Sequence, residues 1–304
     1  MTNDGIAKTR SRLTELLDPQ FMARLDALDI LSRKILQGKV HGERRSKRRG
    51  QSVEFADHRP YVAGDDLRFV DWNIYARLDQ LFLKLFLAEE DLTVHVLLDA
   101  TASMAGGEPP KSRAARRLAA ALSYIALVNN NRLTVSTFAD GLTGQIANMR
   151  GRGYLHQMGE FLLEAPAEGS SDFDRACRQV AAGRIGSGVM IVLSDMLLKE
   201  GYADGLRRLM SGNYDLYVIQ MLSPQELSPD LSGDLRLLDM EDADEAEVTV
   251  SAALLSYYKR TVSAYCNELK AFCSRRGAVY VLTDSGKPVE PLVLNYLRRR
   301  GLLR

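Results

Sequence analysis

The chain is poor in cysteine, histidine and tryptophan: its 304 residues include three Cys, four His and one Trp. Three thiols are too few, and odd in number, for a disulfide framework. Cys266 and Cys273 fall in a stretch of helical pattern. Their spacing puts them on one face but ~10 Å apart along its axis, beyond the reach of a bridge. They read as buried thiols. The histidines (His41, His58, His95, His156) are scattered without ligand spacing, so no zinc site is visible. An excess of either charge is lacking too. Forty Lys and Arg face 39 Asp and Glu, which argues against a polyelectrolyte built to coat nucleic acid. Long apolar runs are absent. The longest, Leu118 to Val128, falls short of the about 20 residues that span a bilayer. The opening residues MTNDGIAKTRSRL hold no apolar signal segment, so a cytoplasmic protein is expected.

What is present is an ordinary globular composition, 46% hydrophobic and 26% charged. Residues 1 to about 37 carry leucines at helical spacing (Leu13, Leu16, Leu17, Leu25, Leu28, Leu31, Leu36), interrupted by Pro19, with Asp18 placed to cap the second helix. A basic block follows, in which Lys39, Arg44, Arg45, Lys47, Arg48 and Arg49 are offset by Glu43 alone. Such a block reads as a solvated loop or as an anion- or partner-binding patch. Residues 51–91 interleave Glu54, Arg59, Asp65, Asp66, Arg68, Asp71 and Arg77 with Phe55, Tyr61, Phe69, Trp72 and Tyr75. This mixture predicts an arm whose aromatics pack inward and whose Arg–carboxylate pairs act as ties or as partner contacts. The chain is thus expected to divide into a helical and extended arm, 1–91, packed on a core, 92–304.

From Leu92 a regular rhythm begins. LTVHVLLD, RLTVSTFAD, GVMIVLSD, NYDLYVIQML and AVYVLTDS read as strands, with a short edge strand in GLTGQIAN. Helical patterns at 111–129, 154–164, 172–182, 202–210, 252–276 and 292–300 separate them, and 235–250 reads as a hairpin with an acidic tip. This alternation predicts an α/β fold, a doubly wound and mostly parallel sheet in three layers. Sites in such sheets lie beyond the C-terminal strand ends. Asp99, Asp140 and Asp195 stand at three of those ends.

After the first of these strands comes Asp99-Ala100-Thr101-Ala102-Ser103, a D-x-T-x-S pattern. One carboxylate and two hydroxyls at alternate positions of a turn suit a hard divalent cation such as Mg²⁺. Ser171, before a helix, and Asp195, after a strand, can converge on the same crevice. The bland alternative is that Asp99 and Thr101 simply cap the next helix. This set resembles the metal-ion-dependent adhesion site of von Willebrand factor A domains. Thr101 stands for that pattern's first Ser and Ser171 for its Thr.

The arm narrows the resemblance. Gly50, Ser52, Glu54 and Phe55, followed by Arg59, Tyr61, Gly64, Asp65, Arg68, Asp71 and Trp72, are similar to the pattern of a bacterial family called domain of unknown function 58. The resemblance implies a von Willebrand A-like fold and a non-enzymatic protein-interaction module. It also implies association with MoxR-type AAA+ ATPases in protein maturation or complex assembly, with a client protein as second partner. Attachment at the inner membrane would then run through partners. Thr101 and Ser103 would bind Mg²⁺, Mn²⁺ or Ca²⁺ directly, with Ser171 direct or through water. Asp99 and Asp195 would act mainly through water, and a partner's carboxylate would complete the site.

Rival chemistries fit less well. A phosphate loop needs Gly before Lys-Ser, but Pro109 and Pro110 precede Lys111 and offer no N–H. A D-x-D phosphotransferase would need a carboxylate where Thr101 stands, and no G-x-S-x-G elbow is present. His95 lies inside a strand and reads as a core residue. The alternative from another class is nucleic-acid or anion binding through loop 39–49, with a degenerate metal site.

Overall fold

A computed structural model describes residues 12–32, 55–86, 92–183, 188–212, 214–241 and 245–304. The chain divides into two compact units, Met1–Leu36 with Leu92–Arg304, and Gln37–Asp91. The N-terminal residues therefore group with the sheet, and 37–91 stands as a unit of its own. The reason is burial: Leu13, Leu16, Leu17, Phe21 and Leu25 all enter the sheet unit's larger apolar core. Helix α1 (Pro19–Leu25) starts where expected, with the Asp18 carboxylate accepting from Phe21 N–H at 2.8 Å. The helical pattern does not continue through Leu28 and Leu31. The helix stops at Asp26, and Ile30 instead makes a β-bridge to Leu303 near the other end of the chain. Leu36 lies outside the described residues.

In the smaller unit, β1 (Phe55–Pro60) pairs antiparallel with β2 (Phe82–Phe86), and α2 (Trp72–Leu78) lies between them in sequence. Asp71 starts α2 by accepting from the N–H groups of Asn73 and Ile74 at 2.9 and 3.3 Å. Its other oxygen faces His58 Nε2 at 3.0 Å and Lys84 Nζ at 3.3 Å. Three of the aromatics do not pack inward as expected: Trp72 is 59% exposed, and Phe69 and Tyr75 are exposed as well, while Tyr61 is half-buried. The inner side of the α2 N-terminus is taken by the Asp71 network. A two-stranded ribbon has little further surface to cover rings.

In the larger unit six strands form one sheet. They are β3 (Thr93–Asp99), β4 (Arg132–Ala139), β5 (Gly141–Met149), β6 (Gly188–Ser194), β7 (Tyr214–Leu222) and β10 (Val279–Asp284), in the order β10-β7-β6-β3-β4-β5. All neighbours are parallel except β4 and β5, which pair antiparallel at the edge. A second hairpin, β8 (Gly233–Leu238) with β9 (Glu245–Val250), forms its own two-stranded sheet.

Both faces of the sheet are covered, which is why its strands read as continuous apolar runs. Val94, Val96 and Leu98 of β3 face one core together with α3 (Lys111–Val128). Leu97 faces the other, built with α5 (Phe173–Ala182), α6 (Ala203–Met210) and α8 (Ala252–Ser274). Helix α4 (Leu155–Glu164) adds Met158 and Leu162 to the α3 side. Helix α3 is buried nearly all round, as its alanine-rich sequence allows. This is the expected three-layer, von Willebrand A-like α/β fold. Cys177, Cys266 and Cys273 are free and buried, and His95 is a core residue. Among the described residues no helix is long and apolar enough to cross a membrane.

Candidate metal and docking site

The β3–α3 loop and the loop before α5 are zipped together by backbone bonds. Ala102 N–H donates to Gly169 at 3.0 Å, and Glu168 N–H donates to Ala100 at 2.9 Å. Asp172 N–H reaches Ala139 at 2.9 Å, and the Asp172 side chain caps α5 through Arg175 N–H at 2.8 Å. These bonds bring Ser171 to the end of β3. Asp195 arrives from the adjacent strand end, and Gln220 Nε2 holds its carbonyl at 2.8 Å. Met196 follows in a left-handed conformation (φ 56°) although it is fully buried. Such backbone strain clusters at functional sites. Asp140, the remaining strand-end aspartate, is exposed and pairs with Arg175 at 3.0 Å, so it takes no part.

Asp99 is buried among donors without charge. Its Oδ1 accepts from Thr101 N–H at 3.0 Å and the Thr101 hydroxyl at 2.7 Å, and its Oδ2 accepts from the Ser194 hydroxyl at 2.5 Å. Burial, then the charge of Asp195, push its carboxyl well above the ordinary range. The Thr101 and Ser103 hydroxyls lie 2.9 Å apart. Ser103 also donates to the Glu241 carboxylate, which accepts from Ser171 N–H at 3.3 Å. The Ser171 hydroxyl oxygen is buried and has no hydrogen-bond partner.

Protons are short in this row. Glu241–Ser103, Ser103–Thr101 and Thr101–Asp99 are three links served by two hydroxyl protons, and either a proton on Asp99, whose carboxyl burial pushes up, or a cation completes them. A cation among these oxygens closes the deficit and gives the orphaned Ser171 oxygen a partner. The donor set therefore fits a hard divalent ion. Asp195 behaves differently. Its Oδ1 accepts from Leu197 N–H at 3.0 Å, and its Oδ2 pairs with Lys111 Nζ at 2.7 Å. Lys111 is 1% exposed and also pairs with Glu226. Burial lowers its pKa, but the two carboxylates outweigh burial and raise it, so the ammonium stays charged. Glu226 is held by a capping box with Ser223 on the short helix α7 (Pro224–Leu227). Gly107 lets the α3 loop approach it, since a Cβ there would fall 2.5 Å from the Ser223 Cβ. Beside this cluster opens a cavity of about 920 Å³, lined in part by Ser103, Lys111, Glu226, Glu241, Val248 and Tyr258.

All five expected metal residues are thus at one strand edge. Lys111, Ser194, Glu226 and Glu241 were missed. Lys111 had a readable signal, because a lysine opening an apolar helix sits against the helix dipole and needs a carboxylate. Ser223-Pro224-Gln225-Glu226 is likewise a visible capping box. Among the described residues no group of three or more His, Cys, Asp or Glu is arranged to hold a metal, so any such site relies on its hydroxyls.

Of the arm residues, Arg59 grips Asp65 through two bonds of 2.7 Å, Arg68 pairs with Asp66, and Asp71 is placed as above. Trp72 and Arg77 are exposed. Glu54 and the anion-binding candidates Arg44, Arg45, Lys47, Arg48 and Arg49 lie outside the described residues.

The fold is that of an α/β protein with a six-stranded, mostly parallel sheet covered on both faces. Residues 57–265 match the family described as protein of unknown function DUF58, and the chain belongs to that family. It is 26% identical to the uncharacterized protein Rv1480 of Mycobacterium tuberculosis and, to the same degree, to the uncharacterized protein Mb1516 of Mycobacterium bovis. Each match covers 94% of this chain and 92% of the relative. Similar solved structures include the conserved hypothetical protein BatB of Bacteroides thetaiotaomicron (12% identity, TM-score 0.42, 68% of this chain and 98% of that one). The SpRpn10 VWA domain is another (12% identity, TM-score 0.39, 68% of this chain and 95% of that one).

Proposed function

We propose that the chain is a non-enzymatic docking module. It takes Mg²⁺, with Mn²⁺ or Ca²⁺ as substitutes, at Asp99, Thr101, Ser103, Ser171 and Asp195, and receives a carboxylate of a partner protein there. The observation that carries the reading is the row of oxygens from Asp99 through Thr101 and Ser103 to Glu241, together with the buried, unpartnered Ser171 hydroxyl. Thr101, Ser103 and Ser171 would hold the ion. Asp99 orients the Thr101 hydroxyl, and Asp195 adds negative charge while anchored by Lys111. A bound divalent ion with few charged ligands supplies an electrophilic point for a carboxylate. The family resemblance motivates a MoxR-type AAA+ ATPase and its client as the partners, in the cytoplasm or at the inner membrane through those partners. Titration calorimetry with Mg²⁺ tests the ion. Binding of the host's MoxR-type ATPase to the immobilised chain, in Mg²⁺ and in EDTA, tests the partner. Asp99→Ala is expected to abolish both signals. Absence of Mg²⁺ heat in the wild type, together with capture that survives EDTA, would overturn the metal reading.

One observation favours a second reading. The Lys111 ammonium already stands 2.7 Å from Asp195. In that reading it is the site's cation, and docking is indifferent to metal. Thermal stability independent of Mg²⁺ then distinguishes the two. If 100-fold excess over Kd is reached, metal binding should add about 2.7 kcal/mol.

A further inference from the structure

Glu241, in the turn three residues past β8, reaches both loops of the strand-end motif. Its carboxylate accepts from Ser171 N–H at 3.3 Å and from the Ser103 hydroxyl. The charged groups that act on it are the carboxylates of Asp195 and Asp239, each of which already has a lysine of its own. We propose that Glu241 is an internal ligand of the docking site, holding from the hairpin the place that a partner's carboxylate takes. The inference rests on the docking reading above and adds its regulation: a partner docks by displacing Glu241.

The hairpin is built for such displacement. Asp239 orients Glu241 by accepting its N–H at 2.8 Å and pairs with Lys199 at 3.0 Å, so a polar clip sets the carboxylate. Apolar anchoring is slight: Leu238 and Met240 are 62% and 55% exposed, and Glu245, Ala246 and Glu247 are exposed. Val248 and Val250 of β9, with Leu254 and Tyr258 of α8, line the cavity of about 920 Å³ rather than filling it. Segments held by few buried contacts open locally at low cost.

The test uses the full chain as wild type, Glu241→Gln and Glu241→Ala, in Mg²⁺ and in EDTA. Hydrogen exchange is read at the Ser171 amide and along both hairpin strands, and glutarate is titrated as the carboxylate probe. Mg²⁺ is expected to slow hairpin exchange in the wild type and in neither variant. With Mg²⁺, glutarate should bind Glu241→Ala at least about tenfold more tightly than wild type, because an internal competitor lowers apparent affinity by the fraction of time it is seated. Equal glutarate affinities with identical exchange in all three proteins overturn the proposal. If Mg²⁺ changes nothing in any protein, the metal reading fails by itself. In that case faster exchange at the Ser171 amide in Glu241→Gln, in EDTA, upholds Glu241 as a hydrogen-bonded latch, and unchanged exchange there sinks it.

Discussion

In the 37–91 unit, the aspartates that hold turns also face cations. Asp65 accepts from Val62 N–H and grips Arg59, and Asp71 caps α2 while facing His58 and Lys84. At the C-terminal edge of the large sheet, Asp99 also serves a turn, through Thr101 N–H, but its remaining partners are hydroxyls. Asp195 differs in having an ammonium, that of Lys111, which is shared with Glu226. The two regions show what a satisfied and an unsatisfied charge set look like. In the first, among the described residues, Arg59 with Asp65, Arg68 with Asp66 and Lys84 with Asp71 pair within the unit. The second leaves carboxylates in excess of its one buried cation, and such a set is where an added ion or a partner has something to do.

The comparison breaks most sharply at Lys111. Lys111→Met leaves Asp195 and Glu226 facing each other without their counter-ion in a buried place. Removing one partner of a buried pair costs about 3–5 kcal/mol. Urea unfolding is expected to show a loss of that order. Adding Asp195→Asn should restore part of it, since one of the stranded charges is then gone. A loss within the range of surface substitutions, about 0.5 kcal/mol, would mean that the site tolerates bare carboxylates. The contrast between the regions would then be one of burial alone.

Much of this arrangement was readable from the chain, and the unread parts share one cause. The strands after Leu92 declare themselves because both sheet faces are apolar, and Asp99, Thr101, Ser103, Ser171 and Asp195 follow strand or helix boundaries that the pattern marks. Local signals sufficed for these residues. Lys111 and Glu226 are 115 residues apart, and Glu241 meets Ser171 across 70. Such meetings depend on tertiary placement that no local period encodes. The arm failed in the opposite direction. Its density of aromatics suggested burial, yet Trp72 sits at the first position of α2, where the cap residue's carboxylate points inward and the ring stays outside. In the N-terminal stretch, leucine spacing overstated the helix because Leu28, past the turn that ends it, and Ile30, in a β-bridge, are buried as well.

A smaller effect is expected from His95, four residues before Asp99 on β3. Its Nε2 meets the Ser136 hydroxyl at 2.9 Å, while Nδ1 is buried without a partner. Burial lowers its pKa to about 4. The folded state thus keeps it neutral where the unfolded chain takes up a proton, so stability is full above about 6.5 and falls as pH drops toward about 4. The shift corresponds to at most about 3 kcal/mol. Urea midpoints of wild type and His95→Gln, compared at pH 7.5 and pH 4.5, should converge on acidification if His95 carries this term. A constant gap between them would show that other groups govern acid stability.

The smallest effect sharpens the other side of the comparison. Burial opposes ionisation of Asp71, but hydrogen bonds from His58, from Ile74 and Asn73 N–H, and from Lys84 prevail and hold its carboxyl at about 2. A carboxylate depressed in the folded state contributes stability above its ordinary value near 4, and that contribution is lost as pH falls through the folded value. A carboxyl-carbon NMR titration should therefore place Asp71 near 2, and Lys84→Met or His58→Gln should each move it upward. Neither substitution should change Mg²⁺ titration at the sheet edge, because Asp71, His58 and Lys84 act on one another. A response of the Mg²⁺ signal to Lys84→Met would instead tie the two charge sets together and end the separation between them.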